Sequence, residues 1–375
     1  MKNLHCCVDD KFIDGAISLF EADRNVQNIY VIIKNESNYQ FHYIKSHKVE
    51  IIKEDSFLDF CKEFDVIYLH SLFCISPTLI QKIPHNKKVV WFSWGYDIYP
   101  DIIPIRLYDP LTKKYRHYNT GPRIFFYELR HKLKYWLYEK EIVWKALNRV
   151  DFYSGVFPYE YDLIRKKVSC FRAKRLDFYY GSINFFIPEK VDDVYFPQNR
   201  TSILIGNSAA LTNNHLDIFE FINNSYLTNI DKIIVPLSYS GSRRYVNKVK
   251  IEGEKKFGTK FLPLMSYLPL QEYINLISNC RTAIFFHERQ QASDNVFMQM
   301  IYGARVFMSK SSLMYQYLKK QGYKIYSLQD DYSLLNLPMS YDDVILNRKM
   351  LSENYASNRL LERVQNINKV LFKSL

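Results

Sequence analysis

The sequence predicts an α/β protein of two doubly wound lobes with a cleft between them. Three observations lead there. Short apolar runs alternate with helix-patterned segments through both halves, the signature of parallel sheets covered by helices on both faces. The 375 residues exceed one ordinary core and divide into about two domains of 150 to 200 residues. Polar clusters follow several of the strand-like runs, and beyond the carboxyl ends of such strands is where open sheets collect ligands.

In the first half, Leu4–Val8 reads as a strand followed by Asp9-Asp10, then by a helix through Ile13, Ile17 and Phe20. The acidic pair suits either a ligand at the strand mouth or the start of that helix. Ile29–Ile33, Val49–Ile52 and Val66–Leu69 are further strands, with a helix over Ser56–Phe64. His70-Ser71 closes the last of these strands before a helix at Pro77–Ile80. A lone histidine there serves structure or catalysis. Val89–Phe92 empties into Ser93-Trp94-Gly95-Tyr96-Asp97. Gly95 can take positive φ, and a carboxylate beside two aromatic rings furnishes a sugar site or packs as a turn into the core.

Between Lys113 and Arg149, lysines and arginines outnumber acids, and Phe125, Leu129, Leu133, Trp136, Val143 and Leu147 recur at helical spacing. Such a helix can lie on an anionic bilayer, and an ordinary surface helix carries the same apolar stripe. Asp151–Ser154 is a strand, and Phe157-Pro158-Tyr159 opens a helix. The proline-bearing stretch Tyr179–Arg200 is the natural linker, so the lobes are expected at 1–190 and 191–345.

The second lobe opens with the strand Thr201–Ile205, then Gly206-Asn207-Ser208-Ala209, Thr212-Asn213-Asn214-His215 and a helix over Leu216–Ile222. Strand, small polar loop and helix make an anion site from backbone N–H groups. Lys232–Pro236 is a strand ending in Leu237-Ser238-Tyr239; helix Arg244–Phe257, strand Thr259–Leu262 and helix Leu270–Ile277 follow. Ala283–Phe286 then runs into His287-Glu288-Arg289-Gln290-Gln291, and Ser293 caps a helix that Gly303 ends before Arg305–Met308. An arginine and two glutamines at that mouth suit a diphosphate, and the Gly206 and Arg289 loops should open on one edge. Leu313–Lys320 is another helix and Tyr341–Leu375 is helical in pattern, with 346–375 expected to return to the first lobe.

Composition narrows the partners. A net charge of +12 and a pI of about 9.1 call for an anionic partner. Zinc-finger spacing, aromatic RNA-binding signatures and basic zippers are missing, so a nucleotide and a membrane surface are expected and nucleic acid is not. The 31 Tyr and 26 Phe fit a low-GC coding bias as well as a recognition surface. Six scattered cysteines without a CxxC pair fit reduced thiols in a cytosol, not a zinc or disulfide framework. Neither a signal-peptide core nor about 18 consecutive apolar residues is found, which predicts a soluble or peripheral protein. A nucleotide-sugar epimerase or dehydrogenase would carry GxGxxG after its first strand, where Val8-Asp9-Asp10 stands. A non-catalytic nucleotide- or sugar-binding module stays open at this level.

Trp94-Gly95-Tyr96-Asp97, Ile205-Gly206-Asn207-Ser208 with Asn214-His215, Val235-Pro236-Leu237-Ser238-Tyr239 and Arg289-Gln290-Gln291 together resemble the TDP-N-acetylfucosamine:lipid II N-acetylfucosaminyltransferases, the family 56 glycosyltransferases of enterobacterial common antigen synthesis. His70 and Gly303 fit the same pattern. The resemblance implies Rossmann-like lobes in the GT-B architecture. It also implies transfer of a 6-deoxy-amino sugar from a TDP-sugar donor to a polyprenyl-diphosphate-linked glycan acceptor, at the cytoplasmic face of the bacterial inner membrane. On matching positions, Gly206, Asn207, Ser208, Tyr239, Arg289, Gln290 and Gln291 become donor-binding, with Ser293 at the helix start beside them. Asp97 and then His70 become candidates for accepting the acceptor's proton, and Asp9, Trp94 and Tyr96 for acceptor binding. Where many GT-B enzymes hold the ribose with a glutamate, this chain has Met298 and Gln299, which shifts that expectation to Glu288. Neither a metal nor another cofactor is expected, because Arg289 and helix N-termini can stabilise the leaving diphosphate.

Overall fold

The computed structural model describes residues 1–36, 39–119, 139–185 and 199–375. Its described residues form two compact units, and the chain passes between them more than once. The first gathers 1–36, 39–104, 139–182 and 357–375; the second gathers 105–119, 183–185 and 199–356. The sequence-based boundary at 190 misses the excursion at 105–119, because nothing in local pattern tells which sheet a helix packs on. Most of the linker expected at Tyr179–Arg200 and the centre of the basic segment expected at Lys113–Arg149 lie outside the described residues.

The first unit is built on a seven-stranded parallel sheet in the order β3-β2-β1-β4-β5-β6-β7. Its strands are β1 (Lys2–Cys6), β2 (Gln27–Ile33), β3 (Val49–Ile52), β4 (Val66–Leu69), β5 (Lys88–Phe92), β6 (Phe152–Ser154) and β7 (Lys174–Arg175). The strands β1, β4 and β5 are buried almost throughout, as continuous apolar runs covered on both faces must be. Helices α1 (Ile13–Glu21), α2 (Phe57–Phe60), α3 (Pro77–Lys82), α4 (Pro110–Asn119), α5 (Lys140–Arg149) and α6 (Pro158–Lys167) follow in the chain, α4 belonging to the second unit. The helix expected over Ser56–Phe64 is a single α-turn continued by a 3-10 turn at Cys61–Glu63.

The second unit has a six-stranded parallel sheet in the order β10-β9-β8-β11-β12-β13. These strands are β8 (Ser202–Ile205), β9 (Lys232–Pro236), β10 (Phe261–Leu264), β11 (Cys280–Phe285), β12 (Arg305–Met308) and β13 (Tyr326–Ser327). Helices α7 (His215–Phe221), α8 (Arg243–Phe257), α9 (Leu270–Ile277), α10 (Ser293–Ile301), α11 (Leu313–Lys320) and α12 (Tyr341–Tyr355) complete it. Ile203, Ile205, Ile233, Val235, Ile284 and Phe307 have almost no exposed surface and form the sheet's share of the core. Burying each contributes roughly 1.5–3 kcal/mol.

The C-terminal helical pattern is broken at Ala356, whose extended backbone (φ −67°, ψ 153°) ends α12. The final helix α13 (Ser357–Phe372) belongs to the first unit and packs on α1. Asn368 fastens it there, donating to the Asp23 carboxylate at 2.9 Å.

In both sheets the strand order reverses beside the unit's first strand: between β1 and β4, and between β8 and β11. Doubly wound sheets bind ligands outside the carboxyl ends of the strands at this reversal. Backbone strain gathers on the same edges. Among the described residues, the non-glycine positions with positive φ are Ser71, Asn214, Ser240 and Ala292, following β4, β8, β9 and β11 respectively. Each costs on the order of 1–3 kcal/mol, and such strain clusters at functional sites.

Candidate functional site

The second unit's reversal point brings the Gly206 and His287–Gln291 turns together. Leu204 and Ile205 pair with Ala283 and Ile284, and the Gly206 amide donates to the Ile284 carbonyl at 2.9 Å, so the two loops leave the sheet as neighbours. Gln291 spans them: its amide nitrogen donates to Asn207 Oδ1 at 3.3 Å, and its Oε1 accepts from the Thr212 hydroxyl at 2.7 Å. Asn207 Nδ2 donates to the Tyr239 hydroxyl at 3.1 Å, which joins the end of β9 to the same group.

Asn213 pins this arrangement from below. Its Oδ1 accepts from the Asn207 amide and pairs with His287 Nε2, both at 2.9 Å, while its Nδ2 donates to Ser208 Oγ at 3.2 Å. Gly206 has φ +69°, and a Cβ there would lie 2.6 Å from Asn213 Oδ1 and 2.9 Å from His215 Nε2. Glycine is therefore required twice, by conformation and by space. Burial holds both His215 and His287 far below the usual imidazole range, at about 3, so the turns rest on two neutral rings; Arg289 and His215 lower His287 further.

Arg289 is half-buried and donates to the Gln290 carbonyl at 2.8 Å. Gln290 is buried, with its Oε1 unpartnered. Glu288 is also buried, and its Oε1 accepts from Ser309 at 2.7 Å and Ser311 at 2.9 Å, beyond the end of β12. Met298 and Gln299 are buried within α10. Ser293, expected as a helix cap, is instead the first residue of α10; the cap position falls to Ala292 in the left-handed conformation, with no side-chain cap bond.

The first unit's reversal point contains the other candidates. Asp97 is 2% exposed, and its carboxylate accepts from the Leu72 amide (2.9 Å), the Trp91 indole (2.9 Å) and the Trp94 amide (2.8 Å). Burial raises its pKa against the pull of these donors. Asp97 thus fastens the ends of β4 and β5 together.

His70 is fully buried in a chain of hydrogen bonds: Tyr180 hydroxyl to His70 Nδ1 (2.6 Å), His70 Nε2 to His5 Nδ1 (3.0 Å) and His5 Nε2 to Asn28 Oδ1 (3.2 Å). The Asn28 oxygen accepts, which makes His5 Nε2 a donor and His5 Nδ1 an acceptor. By the same logic His70 donates from Nε2, and its lone pair at Nδ1 faces Tyr180. Burial depresses the pKa of both imidazoles, His5 to about 3.

Asp9 accepts from the His42 (2.7 Å), Tyr43 (3.0 Å) and Ile44 (3.2 Å) amides and from the Tyr39 hydroxyl (3.0 Å). Burial opposes its ionisation, but these donors outweigh it and hold the carboxyl below its ordinary range. It anchors the loop after β2 and does not cap α1.

Its neighbour Asp10 is half-buried, accepts from the Phe12 amide at 3.2 Å, and is pushed upward in pKa by desolvation. Tyr96, whose hydroxyl lies within reach of the Asp10 charge and bonds Ser71, is 47% exposed, and the half-buried Trp94 meets it edge-on at 6.4 Å between ring centres. The sequence points to the first acid of the pair; the loop partners that consume it lie 30 to 35 residues away and carry no local signal.

The family described as 4-alpha-L-fucosyltransferase, glycosyl transferase group 56, matches residues 126–337. Among solved structures, the chain is similar to Anabaena Alr3699/HepE in complex with UDP and glucose, with a TM-score of 0.65, 11% identity and coverage of 100% of both chains. It is similar to a glycosyltransferase from Rickettsia africae ESF-5, with a TM-score of 0.65 and 14% identity over 100% of this chain and 99% of that one. The N-terminal domain of Candida albicans trehalose-6-phosphate phosphatase gives 0.66 and 10% over 99% and 96%. At these identities the likeness is one of fold: two Rossmann-like lobes.

Proposed function

The chain belongs to glycosyl transferase group 56, and from that premise we propose that this glycosyltransferase moves a 6-deoxy-amino sugar of the N-acetylfucosamine type from a TDP-sugar to a polyprenyl-diphosphate-linked glycan. The observation that carries the donor half is the hydrogen-bonded pairing of the Gly206 and Arg289 turns at one sheet reversal. Backbone amides of a polar turn and of a helix N-terminus, with one guanidinium among them, are what a diphosphate needs. The family resemblance suggests TDP; UDP is the competing nucleotide, because the Anabaena protein was solved with it.

In this mechanism the acceptor hydroxyl oxygen attacks the anomeric carbon of the donor, the bond from that carbon to the diphosphate oxygen breaks, and the nucleoside diphosphate leaves. Arg289 and the turn amides stabilise the charge that develops on the leaving group. Asp10 takes the acceptor's proton. Asp97 and His70, first in line from sequence, act as positioning residues instead, since their acceptor atoms are already engaged inside the first unit. Desolvation moves the Asp10 carboxyl toward the operating pH, the direction a general base requires. Trp94 and Tyr96 supply ring faces for the glycan.

The proposed lipid-linked acceptor puts the enzyme at the cytoplasmic face of the inner membrane. Among the described residues no helix is long and apolar enough to cross a membrane, so attachment would be peripheral. Lys113, Lys114 and Arg116 on α4 and Lys140 and Lys145 on α5 supply positive charge for an anionic surface. The test is to incubate the protein with a panel of TDP- and UDP-sugars and a polyprenyl-diphosphate glycan, and to measure released nucleotide and extended glycan. Release from a TDP-amino-sugar supports the assignment. Nucleotide binding without turnover of any donor would defeat it.

A further inference from the structure

Asp109 presents a carboxylate that the fold has released from its ordinary duty. It occupies the residue before Pro110, the first residue of α4, where an aspartate normally caps the helix by accepting the amides of the second and third helical residues. Those amides, of Leu111 and Thr112, donate instead to Asp217 at 2.7 and 2.9 Å. Asp109 is 9% exposed; Arg106 binds its Oδ1, and its Oδ2 is buried without a partner. An orphaned buried acceptor costs about 1–3 kcal/mol, so the position invites a hydrogen-bond donor.

The surroundings identify the donor's chemistry. Asn214, eight residues beyond Gly206, accepts from the Asp109 amide at 3.0 Å, and its Nδ2 donates to Phe286 O at 2.9 Å and Leu107 O at 3.3 Å. This clamps Arg106–Thr112 against the ends of β8 and β11, beside both turns of the proposed diphosphate site. Glu288 lies close enough to raise the Asp109 pKa, after burial itself, to about 6, but its own Oε1 is committed to Ser309 and Ser311. Two carboxylates repel phosphate, so the diphosphate itself is excluded there. The complementary group is a neutral O–H or N–H donor next to the diphosphate, which is what a hydroxylated or acylamino sugar carries.

We propose that Asp109 is a specificity-determining residue whose Oδ2 accepts a hydrogen bond from a hydroxyl or amide N–H of the transferred sugar. The assignment rests on the donor reading of the second unit. Arg106, with a side chain 61% exposed, holds Oδ1 and leaves Oδ2 as the acceptor for the sugar. Asp109→Asn preserves shape while removing the charge of the acceptor.

The experiment is calorimetric titration of wild type and Asp109→Asn with bare TDP, and with whichever TDP-sugar of the panel binds wild type most tightly. The expected result is an unchanged Kd for TDP and a Kd for the TDP-sugar raised about 10- to 100-fold, the range for losing a charged hydrogen bond. Asp217→Asn, which uncaps α4, should lower the Tm without this split. Equal weakening toward TDP and TDP-sugar would move Asp109 to the nucleoside and overturn the proposal, as would an unchanged TDP-sugar Kd or a wild type that gains nothing from any sugar. Failure of wild type to bind TDP at all would instead sink the donor reading beneath it.

Discussion

Gly206→Ala is the sharpest perturbation of the proposed donor site, because the added methyl has nowhere to go. The backbone holds φ at +69°, which an alanine adopts at a cost of about 1–2 kcal/mol. Its Cβ would meet Asn213 Oδ1 at 2.6 Å and His215 Nε2 at 2.9 Å, both buried and both fixed. Displacing Asn213 loosens its bonds to the Asn207 amide and to His287. Two such bonds contribute about 1–3 kcal/mol together. The loss should therefore reach about 2–5 kcal/mol, readable as a lower urea midpoint at unchanged slope. Because the same shift moves the Asn207 amide, TDP affinity measured by calorimetry on the folded variant should fall more than tenfold. A variant that unfolds at the wild-type midpoint and binds TDP within twofold of wild type would refute the claim that this turn is built to receive a diphosphate.

Asp97→Ala leaves the Leu72, Trp91 and Trp94 donors buried and unpaired, and should destabilise the protein by about 3–5 kcal/mol. Asp10→Asn should leave the Tm near that of wild type and lower kcat at least 100-fold; turnover near the wild-type rate would exclude Asp10 as the base. For Asp109 the folded pKa of about 6 lies above the unfolded 3.8, so the folded state takes up a proton that the unfolded state does not. That group destabilises the protein above pH 6 and ceases to do so below about pH 4. Asp109→Asn should then be more stable than wild type at pH 7.5, by about 1–2 kcal/mol once solvent screening is allowed for, and the gain should vanish near pH 4 in denaturation series across pH. His5 has the opposite sign: a folded pKa of about 3 against 6.5 makes its contribution full above pH 6.5 and lost progressively toward pH 3. His5→Gln should flatten the acid limb of the stability curve. An unaltered limb would show that the His5–His70 pair is not what titrates.

The alternation of strands and helices, and with it the doubly wound class, is legible in the chain alone, because a fully covered parallel strand must be apolar along its whole length. The chain also marked the ends of β8 and β11 as polar, glycine-bearing turns, since an unusual backbone angle and a helix start need particular residues locally. Tertiary structure decided which of those polar side chains remain available. Asp9, Asp97 and His70 stand at strand mouths as their positions foretell, yet the His42–Ile44 amides, the Trp91 indole and Tyr180 consume their acceptor atoms. The sequence does not separate Asp10 from Asp9 and gives no sign of Asp109, because their availability depends on bonds that neighbours make elsewhere: Asp9 holds the loop after β2, and Asp217 caps α4. A hydrogen bond between residues a hundred positions apart leaves no periodicity in the chain, so whether a carboxylate is structural or free is settled only when the strands are in register.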